Sequence, residues 1–260
     1  MQKTMNMHSL TKGDVTLAYK DTNTALPPLV LVHGCGLDHS SLTRQTEFFS
    51  KAHRVISVDL RGHGESDAPH QDYTMAAFAD DLAWLCTELA LMKPIVVGHS
   101  MGGNVALELA ARYPGLPSSL VMIDSVVLPP RAMLDTLLPQ FAEALAGSHY
   151  LDAYRHSLSA MCLPTDKQSS QLIASLHIQQ HVLASALPNH TINYDASGAA
   201  TACHVPIAYI FSFMPLLDLP RFHSLTPQLV SARTLGSGHF SPVEVPDQIN
   251  AMVAQFIRIQ

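Results

Sequence analysis

The chain has 260 residues, 47% of them hydrophobic and 14% charged, so it can bury a large core within one domain. A formal net charge of −6, with Asp and Glu outnumbering scattered Lys and Arg, argues against nucleic acid as a partner. No run approaches the roughly 18 apolar residues of a membrane span, and the N-terminus lacks a secretory signal pattern. We therefore expect a cytoplasmic protein with no membrane partner.

Cysteine and histidine spacing argues against metal and disulfide chemistry. The four cysteines lie far apart with no Cys-x-x-Cys pair, so we expect reduced thiols. The 15 histidines form no ligand-spaced cluster on a helix face, and we expect no metal site. The predicted partner is a small-molecule substrate, used without a cofactor, and a homo-oligomer is possible.

From about residue 28 to residue 125, short apolar runs alternate with longer amphipathic ones, which is typical of parallel strands joined by crossover helices. Residues 15–19 are expected to start the sheet. The further predicted strands are 29–33, 54–58, 94–97, 120–123, 206–211 and 230–235. The predicted helices are 41–52, 74–91, 101–113 and 246–259.

The pattern changes between residues 126 and 204, where helical segments are interrupted by five prolines and no buried strand is evident. We interpret this stretch as an inserted helical cap. The predicted fold is α/β: a mostly parallel central sheet flanked by helices, with residues 1–125 and 205–260 as the core and 126–204 as the cap.

Gly98-His99-Ser100-Met101-Gly102-Gly103 follows an apolar strand and precedes a helix. A tight strand-to-helix turn exposes the hydroxyl of its central residue, and small residues two before and two after it avoid a steric clash. The motif in this order predicts Ser100 as a nucleophile. A chance match or a phosphate-binding turn is the weaker interpretation.

The segment His33-Gly34-Cys35-Gly36 ends a predicted strand, where a loop can direct a backbone N–H at the same point as the N–H of Met101. Two such donors would stabilise a tetrahedral oxyanion. We assign this oxyanion hole to the amides of Cys35 and Met101. The Cys35 thiol is expected to line the pocket, because no basic partner adjoins it in sequence.

His239 follows the last predicted strand, in the segment Gly236-Ser237-Gly238-His239, and is the predicted general base. His99, next to Ser100, is expected to pack around the turn. Two aspartates could orient His239: Asp124, at the tip of a strand, and Asp218, in a loop. Asp218 could instead cap a short helix, and we favour Asp124 because a residue on a strand end is held more firmly.

The motifs HGCG, DLRGHGES, GHSMGG and GSGHF occur in this order, and together they resemble the α/β-hydrolase superfamily over essentially the whole chain. The C-terminal segments PIAYIFS and GHFSPVEVPDQ are similar to a smaller branch, the cofactor-free dioxygenases that open heteroaromatic N-rings. In that branch the triad aspartate corresponds to Asp124. Met101 and Cys35 depart from it, because those enzymes carry a histidine and a tryptophan at these positions.

The expected function is hydrolysis of an ester or lactone bond in a small to medium, largely apolar substrate, through an acyl-enzyme on Ser100. One alternative is a cofactor-independent dioxygenase that uses His239 and Asp124 as the base. A second alternative is a non-catalytic ligand-sensing receptor on the same fold, because fold alone does not determine function.

Overall fold

The computed structural model describes residues 6–130, 134–135, 145–213 and 217–260. Its centre is an eight-stranded sheet in the order β1-β2-β4-β3-β5-β6-β7-β8. The strands are β1 (Met7–Lys12), β2 (Val15–Asp21), β3 (Pro28–Val32), β4 (Arg54–Val58), β5 (Ile95–His99), β6 (Ser119–Ile123), β7 (Ile207–Phe211) and β8 (Leu229–Arg233).

Strands β3 to β8 pair in parallel, whereas β2 is antiparallel to both of its neighbours. The central strands β3, β5 and β6 are buried on both faces, apart from the partly buried first residues of β3 and β5, as their continuous apolar runs predict. Parallel strands end at one edge, so β5, β6 and β8 all lead towards the same side of the sheet. The predicted site residues Ser100, Asp124 and His239 come after these three strands and therefore lie at this shared edge.

Helices cover both faces of the sheet. Among the described residues they are α1 (Thr43–Phe49), α2 (Met75–Glu88), α3 (Met101–Arg112), α4 (Tyr150–Ser159), α5 (Lys167–Ser175), α6 (Gln180–Thr191), α7 (Ser197–Ala202), α8 (Leu219–Leu225), α9 (Ser241–Glu244) and α10 (Pro246–Arg258). One face packs on α2 and α3 in the larger core, and the other packs on α1 and α10. In α10 the buried positions Ile249, Val253 and Phe256 recur at helical spacing.

Several predicted element bounds differ from the structure; the helix predicted at 74–91, for example, ends at Glu88. The sheet starts at β1, not at residues 15–19, because β1 is a largely exposed edge strand that pairs only with β2 and so has little apolar signal. The helix predicted at 41–52 is a 3-10 helix (His39–Leu42) followed by α1, because Asp38 caps a tight first turn. The last strand is Leu229–Arg233 rather than 230–235.

The stretch between β6 and β7 contains α4 to α7. Part of the predicted cap, residues 131–133 and 136–144, lies outside the described residues. The division into a core and a cap at 126–204 stays a prediction. None of the helices formed by the described residues has both the length and the apolar character needed to span a bilayer.

Candidate active site

Ser100 lies in the sharp turn between β5 and α3. Its backbone is left-handed, with φ 52°, which is strained for a residue that has a side chain. Its N–H donates to the carbonyl of Ile123 at 2.8 Å, which ties the turn to the end of the neighbouring strand β6. The side chain is 8% exposed, so the hydroxyl lies in a nearly closed site.

The glycines around Ser100 are required by space. A Cβ on Gly98 would lie 2.2 Å from the carbonyl oxygen of Gly102, and one on Gly102 would lie 2.3 Å from that of Val32. Both distances are far inside van der Waals contact, so no side chain fits at either position. The turn can hold Ser100 in this conformation only because the chain has glycine at both places.

The structure brings Ser100, His239 and Asp124 together, although Asp124 lies 115 and Ser100 lies 139 residues before His239 along the chain. The His239 Nε2 lies 3.1 Å from the Ser100 Oγ, and its Nδ1 lies 2.9 Å from the Asp124 Oδ2. Because a carboxylate only accepts, Nδ1 carries the hydrogen and donates a hydrogen bond to Asp124. Nε2 is therefore free to accept from the Ser100 hydroxyl.

Asp124 follows β6 directly and is 1% exposed. Its N–H donates to the carbonyl of Ile210 on β7 at 2.8 Å. Besides His239, its carboxylate accepts from both donors of Ser212: the backbone N–H at 2.9 Å and the hydroxyl at 2.8 Å. Three donors therefore fix the plane of this carboxylate, and they satisfy most of its hydrogen-bonding capacity in the buried site.

Asp218 is placed elsewhere. It is the N-cap of α8, and its carboxylate accepts from the N–H of Arg221 at 3.1 Å. Its own N–H donates to the carbonyl of Leu128 at 3.1 Å. The structure thus brings Asp124 to His239 and leaves Asp218 in the capping position that was its alternative interpretation.

The loop after β3 approaches the nucleophile turn. A Cβ on Gly34 would lie 3.1 Å from the Ser100 Cβ, and the carbonyl of Cys35 accepts from the hydroxyl of the buried Tyr154 at 2.9 Å. In the described part of the chain, the N–H groups of Cys35 and Met101 donate to no protein acceptor. Their assignment as the oxyanion hole stays a prediction that this arrangement supports.

The Cys35 thiol is buried, and burial raises its pKa to about 12. At neutral pH the thiol therefore keeps its proton, and the thiolate that nucleophilic chemistry requires is absent. This agrees with the expectation that the side chain of Cys35 lines the pocket.

His99 packs between the nucleophile turn and the base. Burial lowers its pKa to about 3, so the ring is neutral at pH 7. Its Nε2–H donates to the backbone carbonyl of His239 at 2.8 Å. The residue that was expected only to pack around the turn also holds the main chain of the base.

His33 directly follows β3 and is fully buried. Its Nδ1–H donates to the carbonyl of Gly34 at 2.7 Å, and its Nε2 accepts from the N–H of Leu60 at 3.0 Å. Burial also lowers the pKa of His63 to about 3 and that of His190 to about 4. These imidazoles are neutral at pH 7 and place no positive charge near Ser100.

In the described residues, one group of side chains has the proximity that a metal site needs: Asp38, His39 and Asp59. The Asp59 carboxylate already accepts from the backbone N–H and the ring of His39, at 2.7 and 2.8 Å, and from the N–H of Glu65 at 3.0 Å. The Asp59 carboxylate that a cation would need is therefore already bound by protein donors. Its bonds to His39 and the cap formed by Asp38 hold the start of the 3-10 helix.

Sequence reasoning missed three residues that hold the site: Tyr154, Ser212 and Glu244. Ser212 had a usable signal, because it directly follows an apolar strand, as Asp124 does. Tyr154 had no such signal in the sequence, because its hydroxyl forms a hydrogen bond with a loop that lies 119 residues away. Glu244 likewise binds a backbone N–H 81 residues away, at Leu163.

A family model described as the alpha/beta hydrolase fold matches residues 27–163. This chain belongs to the α/β-hydrolase family. The predicted resemblance and the predicted mostly parallel α/β sheet are thereby confirmed. The esterase from Thermogutta terrifontis has the same fold as this chain, with a TM-score of 0.83 and 26% identity over 97% of this chain and 98% of the esterase.

Curated relatives match this chain over different lengths. An sn-1-specific diacylglycerol lipase from Xenopus laevis is 27% identical over 226 residues, which cover 85% of this chain and 68% of the lipase. Uncharacterised proteins of Mycobacterium bovis and Mycobacterium tuberculosis are 34% identical over 99 residues, 38% of this chain. The match spans 29% of the length of these mycobacterial relatives.

Proposed function

We propose that this hydrolase cleaves a carboxylic ester or lactone through an acyl-enzyme on Ser100. The observation that carries the proposal is the hydrogen-bonded line from the Ser100 Oγ through the His239 imidazole to the Asp124 carboxylate. A serine hydroxyl is a weak nucleophile, and a base within hydrogen-bond reach, oriented by a third group, activates it.

In the first half of the reaction, the Ser100 Oγ attacks the carbonyl carbon while the His239 Nε2 takes its proton. Asp124 stabilises the imidazolium that forms and keeps its own charge. The N–H groups of Cys35 and Met101 bind the oxyanion, a contribution of about 3 to 4 kcal/mol per donor in comparable sites. The imidazolium then protonates the leaving alkoxide, and the acyl group stays on Ser100.

In the second half, His239 takes a proton from water, and the resulting nucleophile attacks the acyl carbon. Collapse of the second tetrahedral intermediate returns the proton to Ser100 and releases the acid. Each bond made by Ser100 is broken again, so no cofactor is consumed. The two relatives described as an esterase and a lipase support an ester as the bond that is cleaved.

We also propose that the helices between β6 and β7 cover the pocket and select a largely apolar acyl or alcohol group. Tyr154 on α4 supports this, since its hydroxyl binds the Cys35 carbonyl in the loop beside Ser100. The apolar side chains of Leu158, Ile173 and Leu176 are buried in the same cluster as Cys35. A substrate entering this region would meet few polar groups outside the reacting centre.

The test is hydrolysis of a series of short-chain p-nitrophenyl esters and of simple lactones by wild type and Ser100→Ala. We expect wild-type turnover, and a fall in kcat approaching about 10⁶ in the variant. A serine-directed phosphonate should label wild type at the peptide that contains Ser100 and leave the variant unlabelled.

Two outcomes would overturn the proposal: no turnover of any ester or lactone by wild type, or turnover that survives Ser100→Ala. Oxygen consumption with a hydroxylated N-heteroaromatic would then support the dioxygenase alternative. Ligand-induced stabilisation with negligible turnover would support the receptor alternative.

A further inference from the structure

The main chain of His239 is held on both sides. Its carbonyl accepts from His99, as described above, and its N–H donates to the carbonyl of Met161 at 2.8 Å. Met161 belongs to residues 161–163, a segment between α4 and α5 that is here called the 161–163 segment. The base is thus bonded to the nucleophile turn on one side and to this inserted segment on the other.

A carboxylate joins the same two parts of the chain. Glu244, the last residue of α9, accepts from the N–H of Leu163 through Oε1 at 2.8 Å and from the N–H of Gly238 through Oε2 at 2.5 Å. One oxygen therefore binds the 161–163 segment, and the other binds the residue directly before His239. Hydrogen bonds to an ionised carboxylate are roughly twice as strong as neutral ones.

The two backbones are in direct contact where Glu244 joins them. A Cβ on Gly238 would lie 2.4 Å from the Met161 carbonyl oxygen and 3.1 Å from the Cys162 Cα. No side chain at residue 238 could hold the loop against the segment. The contact therefore depends on backbone hydrogen bonds and on the Glu244 carboxylate.

We infer that Glu244 is a positioning residue for the base: it fixes the loop that carries His239 against the 161–163 segment, and so sets the distance from the His239 Nε2 to the Ser100 Oγ. The inference rests on the proposed function and deepens it. Glu244 does not contact the reacting atoms and acts only through the main chain of Gly238 and His239.

Burial raises the pKa of Glu244, and the two backbone donors offset part of this shift because they bind the charged form. An ionised carboxylate can accept through both oxygens, whereas a protonated one uses one oxygen as a donor. A misplacement of about 1 Å at the reacting groups can cost about 100-fold in rate, so a loosened loop should reduce catalysis.

The variants are Glu244→Ala, which removes both acceptors, and Glu244→Gln, which keeps the shape and one acceptor. Glu88→Gln is the matched control, since Glu88 is exposed at the end of α2. On the best ester substrate we expect kcat to fall about 10- to 100-fold in Glu244→Ala and less in Glu244→Gln. We expect KM to stay within about threefold, and the Glu88 variant to match wild type.

Amide hydrogen exchange tests the bridge without any substrate. In Glu244→Ala, exchange should speed up together in peptides covering residues 161–163 and 237–239, and stay unchanged around Ser100. If wild type hydrolyses no ester, the proposed function fails, and this measurement still tests the bridge. The inference is overturned if folded Glu244→Gln and Glu244→Ala both keep kcat within twofold of wild type, or if exchange at the two segments is unchanged.

Discussion

The turn that carries Ser100 and the loop that carries His239 are held in place in different ways. Ser100 is fixed by its immediate neighbours, because Gly98 and Gly102 let β5 and α3 meet in a turn that leaves its backbone at φ 52°. His239 is fixed by two groups distant in sequence, Met161 and His99, and by Glu244, whose carboxylate also binds the remote Leu163. The conformation of the nucleophile turn thus depends mainly on six consecutive residues, whereas the position of the base depends on a tertiary assembly.

Among the changes that test this comparison, the largest expected effect comes from altering the group that orients the base. Asp124→Asn should lower kcat by about 10⁴, because an amide in this position favours the wrong imidazole tautomer. Asp218→Asn is the matched control and should change kcat by less than twofold, because asparagine caps a helix about as well as aspartate does. Steady-state kinetics on one ester checks both variants; equal losses would contradict the difference between the two aspartates.

The turn itself can be broken by a single methyl group. Gly98→Ala should lower the free energy of unfolding by about 1–3 kcal/mol, because the new Cβ must displace the carbonyl of Gly102. Gly115→Ala should change it by less than about 0.5 kcal/mol, since nothing lies within 4 Å of that Cβ. Urea unfolding of both variants measures the difference. A tolerated alanine at residue 98 would mean that the turn is not fixed locally.

The smallest effect tests the link between the two regions. His99→Leu removes the donor to the carbonyl of His239, and we expect kcat to fall about 10-fold with KM nearly unchanged. His99→Gln can still donate and should recover part of the loss. If both variants lose stability to a similar extent and keep the wild-type kcat, His99 serves packing alone.

The same difference explains how much the sequence predicted. Ser100, its flanking glycines and the central strands were predicted because their signals lie within a few consecutive residues. Asp124 and Asp218 could not be separated with certainty from the sequence, because both lie after strands that end at the same edge. Ser212 and His239, which contact Asp124, lie 88 and 115 residues further along the chain.

The missed features have the same physical origin. Strand β1 was missed because none of its residues is buried. It is held by backbone pairing with β2, which requires no alternation of apolar and polar residues in the sequence. Glu244 and Tyr154 form hydrogen bonds with backbone groups. Because every residue has a backbone, no sequence motif identifies these partners. Residue types show which groups could react, but they do not show which backbone a distant carboxylate or hydroxyl will hold.

The ring of His33 lies where two paired strands stop pairing. Strands β3 and β4 pair as far as Val32 and Val58, and beyond that point the N–H of Leu60 reaches an imidazole nitrogen instead of a carbonyl. The imidazole therefore takes the place of a strand carbonyl where the β3–β4 ladder ends. One buried side chain satisfies the N–H of the departing strand, and the main chain after it is released from the ladder and can approach Ser100 at Gly34.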